Sequence, residues 1–164
     1  WSVSEAVHTA RRAPRARPRT GIALAFETAW EEAGDYPRTS GIALDVMPVP
    51  GLSIGLDRTG GILRDDYRVG SVGVRATVGL ELDRVRPALL VAAGTRRVYD
   101  IEGVELHEKP LTGEDARPYY YGVGIQSRVY LNPRYFVELE GRAEWDQRDV
   151  HAVLGGGLGF HLGS

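Results

Sequence analysis

The sequence predicts an all-β protein: an eight-stranded antiparallel up-and-down transmembrane β-barrel with an extended N-terminal arm. Three observations carry this. From about Thr20 onward, apolar and polar residues alternate with period two, segment after segment. Successive side chains of a strand point to opposite sides, so each segment has one greasy and one polar face. Charges well inside the segments fall on one face only, which they share with Gly and Ala. Such a pattern repeated eight times describes a barrel with lipid outside and polar groups within. No apolar run reaches the ~20 residues of a transmembrane helix, and alternating barrel strands escape hydropathy averaging.

The elements follow in order. Residues 1–19 are a separate arm, and residues 20–164 are the barrel. The arm contains Arg11, Arg12, Arg15, Arg17 and Arg19, with Pro14 and Pro18 against a helix. It reads as a solvated tether or as a docking arm for an acidic partner or anionic headgroups. Strand one, 21–30, sets Ile22, Leu24, Phe26, Thr28 and Trp30 against Ala23, Ala25 and Glu27. Strand two, 41–47, sets Ile42, Leu44 and Val46 against Ala43, Asp45 and Met47, and Pro48-Val49-Pro50 is expected as a tight turn. Strand three, 51–58, sets Leu52, Ile54 and Leu56 against Ser53, Gly55 and Asp57. Strand four, 67–79, sets Val72, Val74, Ala76 and Val78 against Ser71, Gly73, Arg75 and Thr77, and residues 81–84 turn the chain.

Strand five, 85–96, sets Pro87, Leu89, Val91 and Ala93 against Ala88, Leu90, Ala92, Gly94 and Arg96. Strand six, 118–131, sets Tyr119, Tyr121, Val123, Ile125, Val129 and Leu131 against Tyr120, Gly122, Gly124, Gln126, Arg128 and Tyr130. Asn132-Pro133-Arg134 is the next turn. Strand seven, 135–145, sets Tyr135, Val137, Leu139, Gly141, Ala143 and Trp145 against Phe136, Glu138, Glu140, Arg142 and Glu144. Strand eight, 150–162, sets Val150, Ala152, Leu154, Leu158, Phe160 and Leu162 against His151, Val153, Gly155, Gly157, Gly159 and His161. Links after strands two, four and six are short. Those after one and three are longer, and the link 97–117, bounded by Arg97 and Arg117, is very long; the link after strand seven is a short exception. Short turns at one rim and longer loops at the other match outer-membrane barrels, which puts both termini on the periplasmic side.

Volume decides which way the apolar faces point. A soluble barrel binding an apolar ligand would turn them inward, but an eight-stranded interior is only just wide enough to be filled by side chains. The apolar faces carry mostly Leu, Ile, Val and aromatics, whereas the Gly and Ala of the other face leave room for long Arg and Glu side chains. Trp30, Tyr119, Tyr121 and Trp145 lie at the long-loop ends of the apolar face, and Tyr135 and Phe160 near the short-turn ends. Two aromatic belts at two membrane interfaces have this arrangement.

Residues 20–162 resemble the small eight-stranded outer-membrane barrels of the OmpA/OmpX type. The local likeness is carried by Pro118-Tyr119-Tyr120-Tyr121-Gly122-Val123-Gly124, by Leu131-Asn132-Pro133-Arg134-Tyr135-Phe136-Val137-Glu138-Leu139 and by Leu154-Gly155-Gly156-Gly157-Leu158-Gly159-Phe160. The resemblance implies a bacterial outer-membrane location and a terminal aromatic that serves as assembly signal. Here Phe160 is followed by His161-Leu162-Gly163-Ser164, so Phe160 and Leu162 are both candidates.

The interior-facing polar set is Glu27, Asp45, Asp57, Arg75, Arg96, Gln126, Arg128, Glu138, Glu140, Arg142 and Glu144. A three-residue loop at 132–134 sets Arg128 against Glu138, Gln126 against Glu140, Gly124 against Arg142 and Gly122 against Glu144. Buried charges must be paired, so this set reads as a polar plug in preference to an ion path. Glu138 and Glu140 invite a hydrolase reading, but Arg on the same face favours a satisfied network. A metal site at Glu105, His107 and Glu108 is conceivable; His151 and His161 lie near opposite rims. Lipid-modifying barrel enzymes need a nucleophile and base together at the membrane edge, and Ser127 has no His on its face. Absence of Cys removes disulfides and thiolate chemistry, and a net charge of −2 gives no reason to expect nucleic acid. The first residues lack an apolar signal region, so a leader was cleaved or the numbering starts within the chain. The expected role is non-catalytic, without cofactor: structural, anchoring or adaptor work among outer-membrane lipid, with a protein partner reached through residues 1–19 and the 97–117 link.

Overall fold

The computed structural model describes residues 19–31, 39–62, 68–99, 119–146 and 150–163. Eight antiparallel strands run in chain order: β1 (Gly21–Glu31), β2 (Thr39–Val49), β3 (Leu52–Ile62), β4 (Arg68–Gly79), β5 (Val85–Tyr99), β6 (Tyr119–Tyr130), β7 (Tyr135–Trp145) and β8 (Val150–Leu162). Each pairs with its sequence neighbour, and β1 pairs with β8 from Ile22↔Leu162 to Glu31↔Val153, so the sheet closes. Closure leaves no strand edge, the condition for a sheet to cross hydrocarbon.

The faces are those of the sequence pattern. Ala23, Ala25, Asp45, Met47, Arg75, Leu90, Gln126, Arg128, Phe136, Glu138 and Glu144 are buried in the barrel. Leu89, Ile125, Leu139, Leu154 and Leu158 are each more than half exposed on its outer wall. Contiguous exposure of this kind marks a surface meant for a non-aqueous neighbour. The β6–β7 register agrees with the three-residue loop: Arg128↔Glu138, Gln126↔Glu140, Gly124↔Arg142 and Gly122↔Glu144. Asn132 fixes that loop by accepting the backbone N–H groups of Arg134 and Tyr135 at 2.9 and 3.0 Å.

Three strands, β2, β3 and β5, run two or more residues beyond their expected ends. Pro48 and Val49 belong to β2, and the turn is Pro50-Gly51, closed by Val49↔Leu52 across a local register shift. Gly51 has φ +82°, the left-handed second corner that follows proline in a type II turn. β3 continues to Ile62. β5 continues through Arg97 to Tyr99, because β4 offers partners Gly70 and Arg68 that far up.

Candidate functional site: a charge-filled lumen and an apolar wall

The centre of the lumen is one connected set of ion pairs. Arg75 grips Asp45 with Nε and Nη2 at 2.9 and 2.8 Å. Its Nη1 donates to Glu27 at 2.6 Å and to Glu138 at 3.3 Å. Arg128 donates through Nε to Glu138 at 2.6 Å and through Nη2 to Asp45. Asp45 and Glu138 are therefore each shared by two guanidinium groups contributed by different strands. A second set lies on the long-link side. Arg142 pairs with Glu140 and, at 2.9 Å, with Glu144, which also takes Arg96. Arg75 comes within 3.8 Å of Glu140 and joins the two sets. Charge-assisted, partly bidentate bonds of this sort offset the desolvation of each ion only when every partner is present.

Small residues make the space. A Cβ at Gly94 would stand 2.6 Å from the Tyr120 ring, and one at Gly159 would collide with the Phe136 ring. Asp57 and Tyr120 both lie against Gly73. Arg96 and Arg128 stack near Tyr120 and Phe136, their guanidinium carbons 5.2 and 4.8 Å from the ring centroids. Among the described residues, Glu27, Asp57, Arg75 and Arg142 border a cavity of about 50 Å³, room for a few waters.

Ten of the eleven interior residues expected from sequence join or border these contacts. Gln126 is buried as expected, but neither of its amide atoms hydrogen-bonds with any described residue. One interior base escaped the sequence reading. Arg86 is fully buried at the short-turn end, 3.0 Å from Glu81 and donating to the Gly51 carbonyl and to Thr77 at 3.1 Å. Its even parity on β5, shared with Ala88 and Leu90, was the available signal.

Arg19 corrects a second expectation. The arm is expected to contact another chain or headgroups and not its own barrel's interior, and of its residues only Arg19 is among those described. Arg19 instead folds across its own mouth. Its guanidinium carbon lies 3.6 Å from the Tyr130 ring centroid, and its Nη groups reach Glu81 at 3.4 Å and the Asp83 carbonyl at 3.1 Å. The ring face, the Glu81 carboxylate and the Asp83 carbonyl are electron-rich groups that hold the cation at the mouth. Arg11, Arg12, Arg15 and Arg17 lie outside the described residues, as do Glu105, His107 and Glu108.

On the wall, Trp30, Tyr119, Tyr121 and Trp145 are exposed toward the long-link end and Tyr135 toward the short-turn end. Phe160, half-buried, is the cross-strand partner of Tyr135, and Trp145 that of Tyr121. Ser127 sits on the wall between Pro87 and Leu139. His161 faces the lumen, its Nε2 donating to the Thr20 carbonyl at 3.0 Å, and His151 stands 3.4 Å from Asp146 at the other end.

A closed antiparallel barrel with a lipid-facing apolar wall and an ion-paired lumen is a transmembrane β-barrel, with the eight-stranded architecture of the OmpA/OmpX type. Comparison with solved structures agrees. The N-terminal β-barrel domain of Pseudomonas aeruginosa OprF superposes with TM-score 0.70 at 10% identity, over 89% of this chain and 100% of that one. Neisserial surface protein A gives 0.56 at 15% identity, over 86% and 94%. Ail, the attachment invasion locus protein of Yersinia pestis, gives 0.54 at 10% identity, over 87% and 97%. At these identities the likeness establishes the fold alone. No protein-family model matches the sequence, and no curated protein matches it.

Proposed function

We propose that this chain is a non-catalytic outer-membrane barrel that anchors or adapts an envelope assembly, with both termini and the short turns on the periplasmic side. The observation that carries the reading is the lumen. Asp45, Glu138, Arg75 and Arg128 interlock across it, and Arg19 and Arg86 bridge to Glu81 at the short-turn mouth. A solute path would have to break several buried pairs at once, each costly to break singly. The outer location follows the architecture, since closed sheets of this size with alternating faces are the outer-membrane solution. Against a lipid-modifying enzyme stands the placement of Ser127, which has Pro87 and Leu139 as lateral neighbours while His151 and His161 point into the barrel.

With Arg19 held at the mouth, the rest of the arm starts from a fixed point on the periplasmic rim. Arg11, Arg12, Arg15 and Arg17 then serve as the partner-facing segment, suited to carboxylates or phosphates through bidentate contacts. The 97–117 link is a second contact surface on the other side, beginning above Tyr99. The test is reconstitution in planar bilayers together with pull-down from envelope extracts. An anchoring barrel gives no stepwise ion conductance, and deletion of residues 1–18 leaves it folded while releasing its partner in a salt-dependent way. Steady conductance steps from the intact chain would overturn the reading, as would retention of every partner by the deletion variant at low and high salt.

A further inference from the structure

The charges of the lumen do not balance, and the imbalance has a location. Among the described strand residues, six carboxylates face inward: Glu27, Asp45, Asp57, Glu138, Glu140 and Glu144. Of the inward arginines, Arg86 pairs with Glu81 at the short-turn mouth. That leaves Arg75, Arg96, Arg128 and Arg142, two fewer than the acids. Five of the six acids pair with an arginine. Asp57 does not. It is 9% exposed and has neither an ion pair nor a hydrogen bond among the described residues. Tyr120 stands beside it: a Cβ at Gly73 would collide with the Tyr120 hydroxyl and stand 2.7 Å from Oδ1 of Asp57. Tyr120 is buried, its ring near Arg96, and its hydroxyl likewise has no hydrogen bond among the described residues. Both groups border the cavity of about 50 Å³, together with Thr59 and Ser71, whose hydroxyls are hydrogen-bonded to each other at 2.6 Å.

These surroundings select a cation. Every guanidinium nitrogen of Arg75 already has a carboxylate, from Asp45, Glu27 or Glu138. Every one of Arg142 has Glu140 or Glu144. An anion in the cavity would find no donor left on either arginine and would meet an unpaired carboxylate. A cation finds oxygens: the Asp57 carboxylate, the Tyr120 hydroxyl and the Thr59–Ser71 pair. A buried carboxylate without a partner is costly, and one ion of charge +2 cancels an excess of two carboxylates. No three carboxylates or imidazoles among the described residues converge to cage a bare ion, so the ion keeps part of its water shell. Mg²⁺ binds in this manner, through one or two carboxylates and several retained waters. At roughly 10–15 Å³ for each water-sized position, the cavity of about 50 Å³ takes an ion and a few of its waters.

We propose that this cavity is a binding site for one hydrated divalent cation of the Mg²⁺ class, held by Asp57 and Tyr120. The probe is Mn²⁺, which shares the oxygen ligands of Mg²⁺ and is read by its paramagnetic resonance spectrum. It is titrated against the chelator-treated full chain in a non-ionic detergent at neutral pH and constant ionic strength. The intact chain should take up one Mn²⁺ per barrel, displaced by Mg²⁺ and not by Na⁺. Asp57→Asn keeps the shape and removes the charge, and should weaken uptake about tenfold or more. Tyr120→Phe keeps the ring beside Arg96 and removes only the hydroxyl; it should weaken uptake severalfold. Urea unfolding in phosphatidylcholine vesicles gives a second readout. Mg²⁺ should raise the midpoint of the intact chain and leave that of Asp57→Asn in place. Without divalent ions the order should reverse, with Asp57→Asn the more stable, because it removes an uncompensated buried charge. A packing role for Asp57 alone would give no such reversal. Heat-modifiable gel mobility reports whether the variants fold, and the stoichiometry of the intact chain tests the proposal independently of them. No uptake by the intact chain, unchanged uptake by Asp57→Asn, or a Mg²⁺ effect matched by Na⁺ at equal ionic strength would each overturn it. So would an intact chain that ignores Mg²⁺ and gains stability only as the pH falls, which would assign the excess charge to bound protons.

Discussion

Asp45 is the side chain whose loss should hurt the barrel most. It is 1% exposed and takes three guanidinium N–H groups, two from Arg75 at 2.9 and 2.8 Å and one from Arg128. Asp45→Ala leaves both cations buried with Glu138 and Glu27 as their remaining carboxylates. Removing one partner of a buried pair costs about 3–5 kcal/mol. Because Glu138 still binds both arginines, the lower end applies, about 3 kcal/mol. Asp45→Asn keeps an acceptor for one N–H and should cost roughly half as much, since the charge is lost but the desolvated donor stays partly satisfied. Combining Asp45→Ala with Arg128→Met should cost less than the sum of the two single changes, because one cation leaves with the anion. The assay is reversible urea unfolding in lipid vesicles, followed by the fluorescence of Trp30 and Trp145. A cost for Asp45→Ala below ~1 kcal/mol, the range of solvent-exposed ion pairs, would refute the account of the lumen as a dry, interlocked network.

Other outcomes follow from the same contacts. Leu139→Arg should destabilise the folded barrel by about 2–4 kcal/mol at mid-membrane depth, whereas Gln126→Leu should be neutral or stabilising, because neither amide atom has a partner to lose; the same urea titration compares them. Gly94→Ala should cost about 1–3 kcal/mol, since the new methyl displaces the Tyr120 ring from a packed interior. Arg19→Ala should cost on the order of 1 kcal/mol from the lost ring contact and ion pair, and a double-mutant cycle with Glu81→Gln should show non-additivity.

The fold was legible because each strand carries its own two-residue period and the lumen admits only one choice of face. The β6–β7 register was legible too, since Asn132-Pro133-Arg134 is short enough to fix which residues oppose. Pairings between distant strands were not. Arg128 meets Asp45, 83 positions earlier in the chain, only because the closed barrel brings β2 and β6 face to face across a narrow lumen. Alternation names the side a residue points to, not its height relative to a strand across the bore. Arg86 was missed because it sits beside the 81–84 turn, where charge reads as solvated. Arg19 was misassigned because its partners, Tyr130 and Glu81, reach the mouth from β6 and the β4–β5 turn. The link 97–117 gave up its first residues to β5 because a strand extends as far as its neighbour offers partners, whatever its own polarity.

The central claim is that the apolar faces point into lipid and the charged faces into a closed lumen. Single cysteines introduced in turn at residues 137–145 and spin-labelled in vesicles test it directly, because the chain has no native Cys. Oxygen, which concentrates in hydrocarbon, should broaden the labels at odd positions, with a period of two along β7. Labels at even positions should be shielded from oxygen and from a water-soluble nickel complex alike. Oxygen access at even positions, or odd positions open to the aqueous relaxer and shielded from lipid, would contradict it.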